Sequence, residues 1–302
     1  MPPAAHLEYR SRPSTAAFML RALYPARLRK GLPFPPLRAS WRGHQVDRRR
    51  LGELLRVTGL GAGSGLPLLY PHVLGFPLQM VILTHPAFPL PIWRVLQIRN
   101  HVLQHHPIPA DAVLDLDTRV VGQRVLEKGV EVDLHTTAGV ERRVAWESLN
   151  TFYYRGRFGE PGPPSPMASA PEVGDAVVGR WRTPPGGGLA FGGLTGDYNG
   201  LHWWSAYARL FGFRRAFHHP QLVLGQSLAR LPAPEAASAQ RLDAWLKGPV
   251  YHGSEVRLRA RSGTDGAAFA VVAEGEQRPA IVGRWRAVPA GSRLLDDGGR
   301  LT

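Results

Sequence analysis

The chain has no cysteine. Disulfides, thiolate nucleophiles and zinc sites built on Cys ligands are therefore excluded. Lysine is nearly absent too: it stands only at Lys30, Lys128 and Lys247, so arginine supplies almost all of the 37 basic positions. No apolar run approaches the roughly 18 residues needed to span a bilayer, and the longest, Val73 to Leu83, is broken by Pro77. No signal-peptide layout opens the sequence. The Arg-rich stretch 14–30 imitates a transit peptide, but Glu8 precedes it and its apolar residues fit a packed helix. These absences lead to the expectation of a cytoplasmic protein without a membrane span.

What is present is an ordinary globular content, 44% hydrophobic over 302 residues, enough for about two domains. The formal charge is +14. No Lys/Arg block is interleaved with aromatics, so nucleic acid is not the expected partner. A positive surface would still steer phosphate-bearing ligands toward the chain.

The run Gly159-Glu-Pro-Gly-Pro-Pro-Ser-Pro166, continuing to Pro171, is too rich in Pro and Gly to sit inside a helix or a sheet. It suggests a first unit over 1–160, a linker over 161–171, a second unit over 172–290 and a tail over 291–302. In the second unit the pattern predicts a strand near 176–182 and a Gly-rich turn at 184–188. A helix over 201–211 and an apolar helix over 222–231 follow, then strand-like runs at 242–246, 255–260, 267–273 and 280–287. The first unit gives a strand at 37–45, a helix at 48–57 and a glycine run at 59–65. An apolar segment at 71–83 follows, then strands at 93–102, 112–121, 130–136 and 142–152. Each unit thus reads as strand, helix, buried helix and several antiparallel strands. One apolar helix wrapped by a curved antiparallel sheet is the hot-dog arrangement. The expected fold class is α+β, a double hot dog.

The segment with chemistry in it is Gly196-Asp197-Tyr198-Asn199-Gly200-Leu201-His202. Gly196 and Gly200 flank a tight turn, and Asn199 suits the N-cap of the predicted helix 201–211. His202 would then sit in the first helical turn, where the positive end of the dipole disfavours its protonated form. Asp197, two residues before the cap, is free to point at the same spot. A carboxylate and a neutral imidazole around one water make a general acid–base pair. The same residues also suit a plain turn and a capped helix.

This run resembles the signature of the MaoC-like dehydratases and the related type 2 enoyl-CoA hydratases: Ser/Thr-Gly-Asp-x-Asn-Pro-Leu-His followed by a helix. Thr195, Gly196, Asp197, Asn199, Leu201 and His202 match, and Gly200 replaces the usual Pro. Downstream, Tyr207 to Phe213, Phe213 to His219 and Trp245 to Ser254 resemble further segments of that family in the same order. The resemblance implies a hydro-lyase that adds water to trans-2-enoyl thioesters to give (R)-3-hydroxyacyl thioesters, or runs the reverse. It implies Asp197 and His202 as the catalytic pair, with Asn199 and Gly196 supporting the loop. Tyr198, Arg215, His219 and Gln221 are assigned to the substrate, an acyl-CoA or acyl-carrier-protein thioester. No cofactor and no metal are expected, and a homodimer is left open.

One departure is serious. The family usually follows the histidine before the buried helix with Gly, whose N–H serves the thioester oxygen; here the residues are His219-Pro220. Proline has no N–H to give, and a lost oxyanion donor costs about 2.7–4 kcal/mol. Either Gln221 or another N–H takes over, or the site is slow, or the protein binds acyl thioesters without turning them over.

Other features are set aside. The run Gly59 to Gly65 fails the spacing of a phosphate loop. His101, His105 and His106 have no completing carboxylate before Asp111, and His218-His219 is no better as a metal pair. Trp203 and Trp204 read as core or as the wall of an acyl pocket. Arg214, Arg215 and Lys247 read as solvated surface or phosphate contacts.

Overall fold

The computed structural model describes residues 5–23, 34–63, 65–234, 239–296 and 301. The basic stretch 14–30 and the glycine run 59–65 both extend into residues outside that set. An edge strand β1 (Ala5–Tyr9), not set out in the sequence reading, comes first, and a short helix α1 (Thr15–Ala22) follows within the stretch whose apolar residues fit a packed helix. The first half then follows as β2 (Leu37–Gln45), α2 (Arg48–Thr58), α3 (Tyr70–Leu83), β3 (Val95–Gln104), β4 (Val113–Leu126), β5 (Gly129–Val140) and β6 (Arg143–Arg155). The second half is β7 (Val177–Arg182), α4 (Gly188–Thr195), α5 (Ser205–Leu210), α6 (Pro220–Leu228), β8 (Ala239–Leu246), β9 (Glu255–Ser262), β10 (Gly266–Ala273) and β11 (Ile281–Val288).

The strands form one sheet in the order β1-β2-β4-β5-β6-β3-β8-β11-β10-β9-β7. Read outward from the centre, β3-β6-β5-β4-β2 on one side matches β8-β11-β10-β9-β7 on the other. Each half repeats the same path, and the two meet where β3 and β8 pair antiparallel, with Asn100 opposite Ala244 and His101 opposite Asp243. This is the double hot dog.

α3 and α6 are the two wrapped helices. All of α3 is buried, as expected for a helix apolar on every side. Its Pro77 gives up one backbone hydrogen bond without ending the helix. Gly75 lets α3 approach the sheet: a Cβ there would stand 2.7 Å from Thr136 Cγ2. α6 opens on Pro220, whose missing N–H costs nothing in a first turn.

The Pro/Gly stretch forms no helix or strand, yet it is packed. Met167, Ala170 and Val173 lie on Trp245, Ala270 and Val282, and Trp245 Nε1 donates to the Met167 carbonyl. The predicted helix 201–211 is corrected: Gly200–His202 is a 3-10 turn, and the α-helix begins only at Ser205. α4 was not anticipated, because five glycines among its residues and caps argue against a helix locally.

The β3–β8 seam buries charge. Asp243 is fully buried and accepts from His101 Nδ1 at 2.9 Å, Arg241 Nε at 3.0 Å and Arg284 Nη2 at 3.1 Å. Burial alone would raise its pKa, but the hydrogen bond from His101 and the charge of Arg241 hold the carboxyl well below the usual range. Burial pushes His101 down, so it donates as a neutral imidazole. His101 is thus a residue of the seam. Removing one member of a buried charge group leaves the others unpaired. Asp243→Ala is expected to lower unfolding stability by about 3–5 kcal/mol, read from urea midpoints. Asp175→Ala, which touches only the surface pair with Arg259, is expected to stay within about 0.5 kcal/mol.

Candidate active site

The loop between α4 and α5 is built to turn sharply. Gly196 ends α4 at φ +88°, a left-handed conformation that favours glycine. The Asp197 amide then donates to Thr195 Oγ1, and the Asn199 amide donates to Asp197 Oδ1. Asn199 Oδ1 in turn accepts from the Leu201 amide, capping the 3-10 turn rather than an α-helix. With Oδ1 held by the loop, Oδ2 of Asp197 is the oxygen that faces His202.

His202 Nε2 lies 3.7 Å from Asp197 Oδ2. That is too long for a direct hydrogen bond and short enough for one water to touch both. His202 Nδ1 is 3.0 Å from the Phe217 carbonyl, which can only accept, so Nδ1 carries the proton and Nε2 keeps its lone pair. Burial lowers the His202 pKa, opposed by the Asp197 charge and the Phe217 carbonyl. The imidazole is neutral, as the sequence reading expects, but burial replaces the helix dipole as the cause.

His219 ends the segment before α6 and stacks on His202 at 3.8 Å between ring centres. Its Nε2 donates to the Asp197 carbonyl at 3.0 Å. Burial and the neighbouring His202 keep its pKa well below the ordinary value. Asp197, His202 and His219 offer three ligand atoms within 4.8 Å of one another. Of these atoms His219 Nε2 already donates to a carbonyl, while Asp197 Oδ2 and His202 Nε2 face each other.

These residues border a cleft of about 270 Å³. Gly196, Asp197, Tyr198, Asn199, His202 and Gln221 line it, all six assigned to the site from sequence. His219 sits behind His202, buried and off the cleft wall. Arg215 is not on the wall either. It is exposed, near the Tyr251 ring and Ser254 Oγ. Trp203 and Trp204 are neither core nor pocket wall but are half-exposed outside it.

Several contributors went unrecognised in the sequence. Phe18 and Met19 of α1, Phe76 and Met80 of α3, and Phe152 of β6 form the apolar wall opposite the loop. Ser14, whose side chain accepts from the Ala17 amide, was the available signal for α1. Arg12 donates to the Leu194 and Gly193 carbonyls at the end of α4 and so holds the turn at Gly196; nothing local in the sequence points to it. Gln221 Nε2 donates to Gln97 Oε1 at 2.7 Å, and Gln97 Nε2 donates to Asn150 Oδ1 at 2.6 Å. The Leu222 and Val223 amides both turn back to the His219 carbonyl. With Pro220 lacking an N–H, the Gln221 amide is left as the donor at the helix end.

No family profile matches the chain. It is 30% identical over 191 residues to 3-hydroxyacyl-thioester dehydratase X of Mycobacterium tuberculosis, covering 62% of this chain and 67% of that protein. A crystal structure of HtdX from the same organism superposes with a TM-score of 0.68 at 26% identity, over 82% of this chain and 99% of that one. A MaoC-like dehydratase of Phytophthora capsici shares the fold at a TM-score of 0.70 and 18% identity, over 89% of this chain and all of the other. With the double sheet, two wrapped helices and an Asp–His loop at the mouth of one of them, this chain belongs to the MaoC-like dehydratases.

Proposed function

We propose that this chain hydrates trans-2-enoyl thioesters to (R)-3-hydroxyacyl thioesters, or dehydrates them in reverse, with Asp197 and His202 acting on one water. The observation that carries the reading is the 3.7 Å gap between Asp197 Oδ2 and the unprotonated Nε2 of His202 on the wall of an apolar cleft. In the hydration direction the water oxygen bonds C3 of the enoyl group while the pair takes one of its protons. The C2–C3 π electrons move toward the thioester carbonyl, and C2 then receives a proton. The sum is H and OH added across the double bond, with nothing oxidised or reduced. The acyl chain lies against Phe76, Met80 and Phe152, and the CoA or carrier-protein arm leaves through the mouth.

The developing negative charge on the thioester oxygen needs a donor. The Gln221 amide at the start of α6 takes that part, helped by the positive end of the helix. The Gln97–Gln221 hydrogen bond fixes the carboxamide beside it. Pro220 favours the second reading, in which the cleft binds acyl thioesters and does not turn them over.

Loss of enoyl absorbance from crotonyl-CoA and longer enoyl-CoAs tests the main reading. Asp197→Ala and His202→Ala are each expected to lower kcat by about 10²–10⁴-fold. A wild type that binds acyl-CoA but shows no turnover would establish the second reading instead. Gln221→Pro, which deletes the amide proton, is expected to cost about 10²–10³ in kcat, while Gln221→Ala keeps that proton and stays well above it. Equal loss in both would remove the amide from the mechanism.

The pH profile follows from His202. Its folded pKa is lowered below 6.5, so Nε2 is unprotonated above that pH and gains a proton only as pH falls through the lowered value. The acid limb of kcat/KM is therefore expected to bend below pH 6.5. An acid limb assignable to His202 with its midpoint above that value would contradict the buried, neutral base.

A further inference from the structure

Most of the exposed large apolar side chains lie on or beside α1, the turn Ile92–Arg94 and α5, three segments that each contribute to the cleft lining. On one side α1 presents Leu20 and Leu23, 63% and 78% exposed. On the other, α5 ends in Leu210, 82% exposed, with Phe211 next. Trp203 stacks on Trp204 at 6.1 Å, Trp204 on Tyr207 at 6.0 Å, and Tyr207 meets Phe211 at 4.8 Å. Trp93 and Leu96, both exposed, close the ring. Leu23, Trp93, Leu96 and Tyr207 also line the cleft, so ring and cleft form one continuous surface.

The charge on this ring is mainly positive. α1 carries Arg21, the turn Ile92–Arg94 carries Arg94 and α5 carries Arg209, and none of the three holds a carboxylate. Arg214 and Arg215 follow α5; Arg214 pairs with Glu276, and Arg215 is exposed. Monomeric proteins rarely leave this much connected apolar surface bare. Two copies meeting ring to ring would set arginine against arginine, with only Glu276, already paired to Arg214, among them to offset the charge, which is unfavourable. An acidic protein surface would meet the arginines but offer nothing to Leu20 and Leu210. An anionic bilayer answers both: leucines and Phe enter the acyl boundary, Trp rings sit at headgroup level, and arginines reach the phosphates.

We propose that the ring around the cleft mouth docks this protein on an anionic phospholipid surface. The cleft then opens toward the membrane, and long acyl chains, which partition into lipid, reach it without crossing water. This last consequence rests on the proposed function; the docking itself does not.

Vesicle sedimentation of the full chain tests the proposal. The wild type is expected to co-sediment with phosphatidylcholine vesicles containing about 30% phosphatidylglycerol, and about tenfold or more weakly with phosphatidylcholine alone. Added salt should weaken the anionic binding. The double variant Leu20→Asp/Leu210→Asp changes two exposed positions that do not line the cleft. It is expected to lose vesicle binding by about tenfold or more while turning over crotonyl-CoA like the wild type. No vesicle binding by the wild type, or equal binding by the double variant, overturns the proposal. So does self-association, or capture of an acidic carrier protein, that the double variant loses while vesicles are ignored. Vesicle binding is read without turnover, so a failure of the catalytic reading leaves this test intact.

Discussion

Two backbone carbonyls, those of Asp197 and Phe217, each accept a hydrogen bond from a buried imidazole, and the geometry of the cleft depends on both. The loop from Gly196 to His202 has little regular secondary structure to hold it. Leaving a buried ring nitrogen without a partner costs about 1–3 kcal/mol, so the two histidines resist release. His219 ties the loop to the start of α6, and His202 ties itself to the segment before α6. Because the rings also stack, neither can turn without disturbing the other. The same contacts settle the tautomer of His202, so position and chemistry have one cause.

Much of this was legible in residues close together in the chain. Thr195, Asp197, Asn199 and Leu201 shape the loop through hydrogen bonds spanning two residues, and Asp197 and His202 stand five apart, so local spacing carries that information. The repeated order of strand, helix and strands also came through, because α3 and α6 are apolar on every side and the strands alternate. What stayed hidden depends on distant partners. Arg12 reaches carbonyls more than 180 residues away, and Gln97 meets Gln221 across the halves. The break in the helix expected over 201–211 was also hidden. Trp203 and Trp204 extend the helical pattern in sequence, yet the chain leaves it at Trp203, whose indole donates back to the Tyr198 carbonyl.

The two halves share a path and differ in task. The second supplies the Asp197–His202 loop and the helix end. The first supplies Phe18, Phe76, Met80 and Phe152, the wall that faces them. At the start of α3, His72 is buried and lies 3.5 Å from Asn100, with no carboxylate hydrogen-bonded to it. Burial takes its pKa down to about 4, so it stays neutral and carries no charge into the core. An imidazole near a helix start thus occurs in both halves, while among the described residues the Asp197 loop beside one belongs to the second.

The pairing of β3 with β8 inside one polypeptide has a further consequence. Where two identical chains meet across such a seam, every substitution appears on both sides of the axis. Here each residue occurs once. Phe76 or Met80 can change size without altering α6, and the Asp197 loop can change without touching Phe76 or Met80. Covalent continuity thus lets two sides of the cleft vary independently of each other.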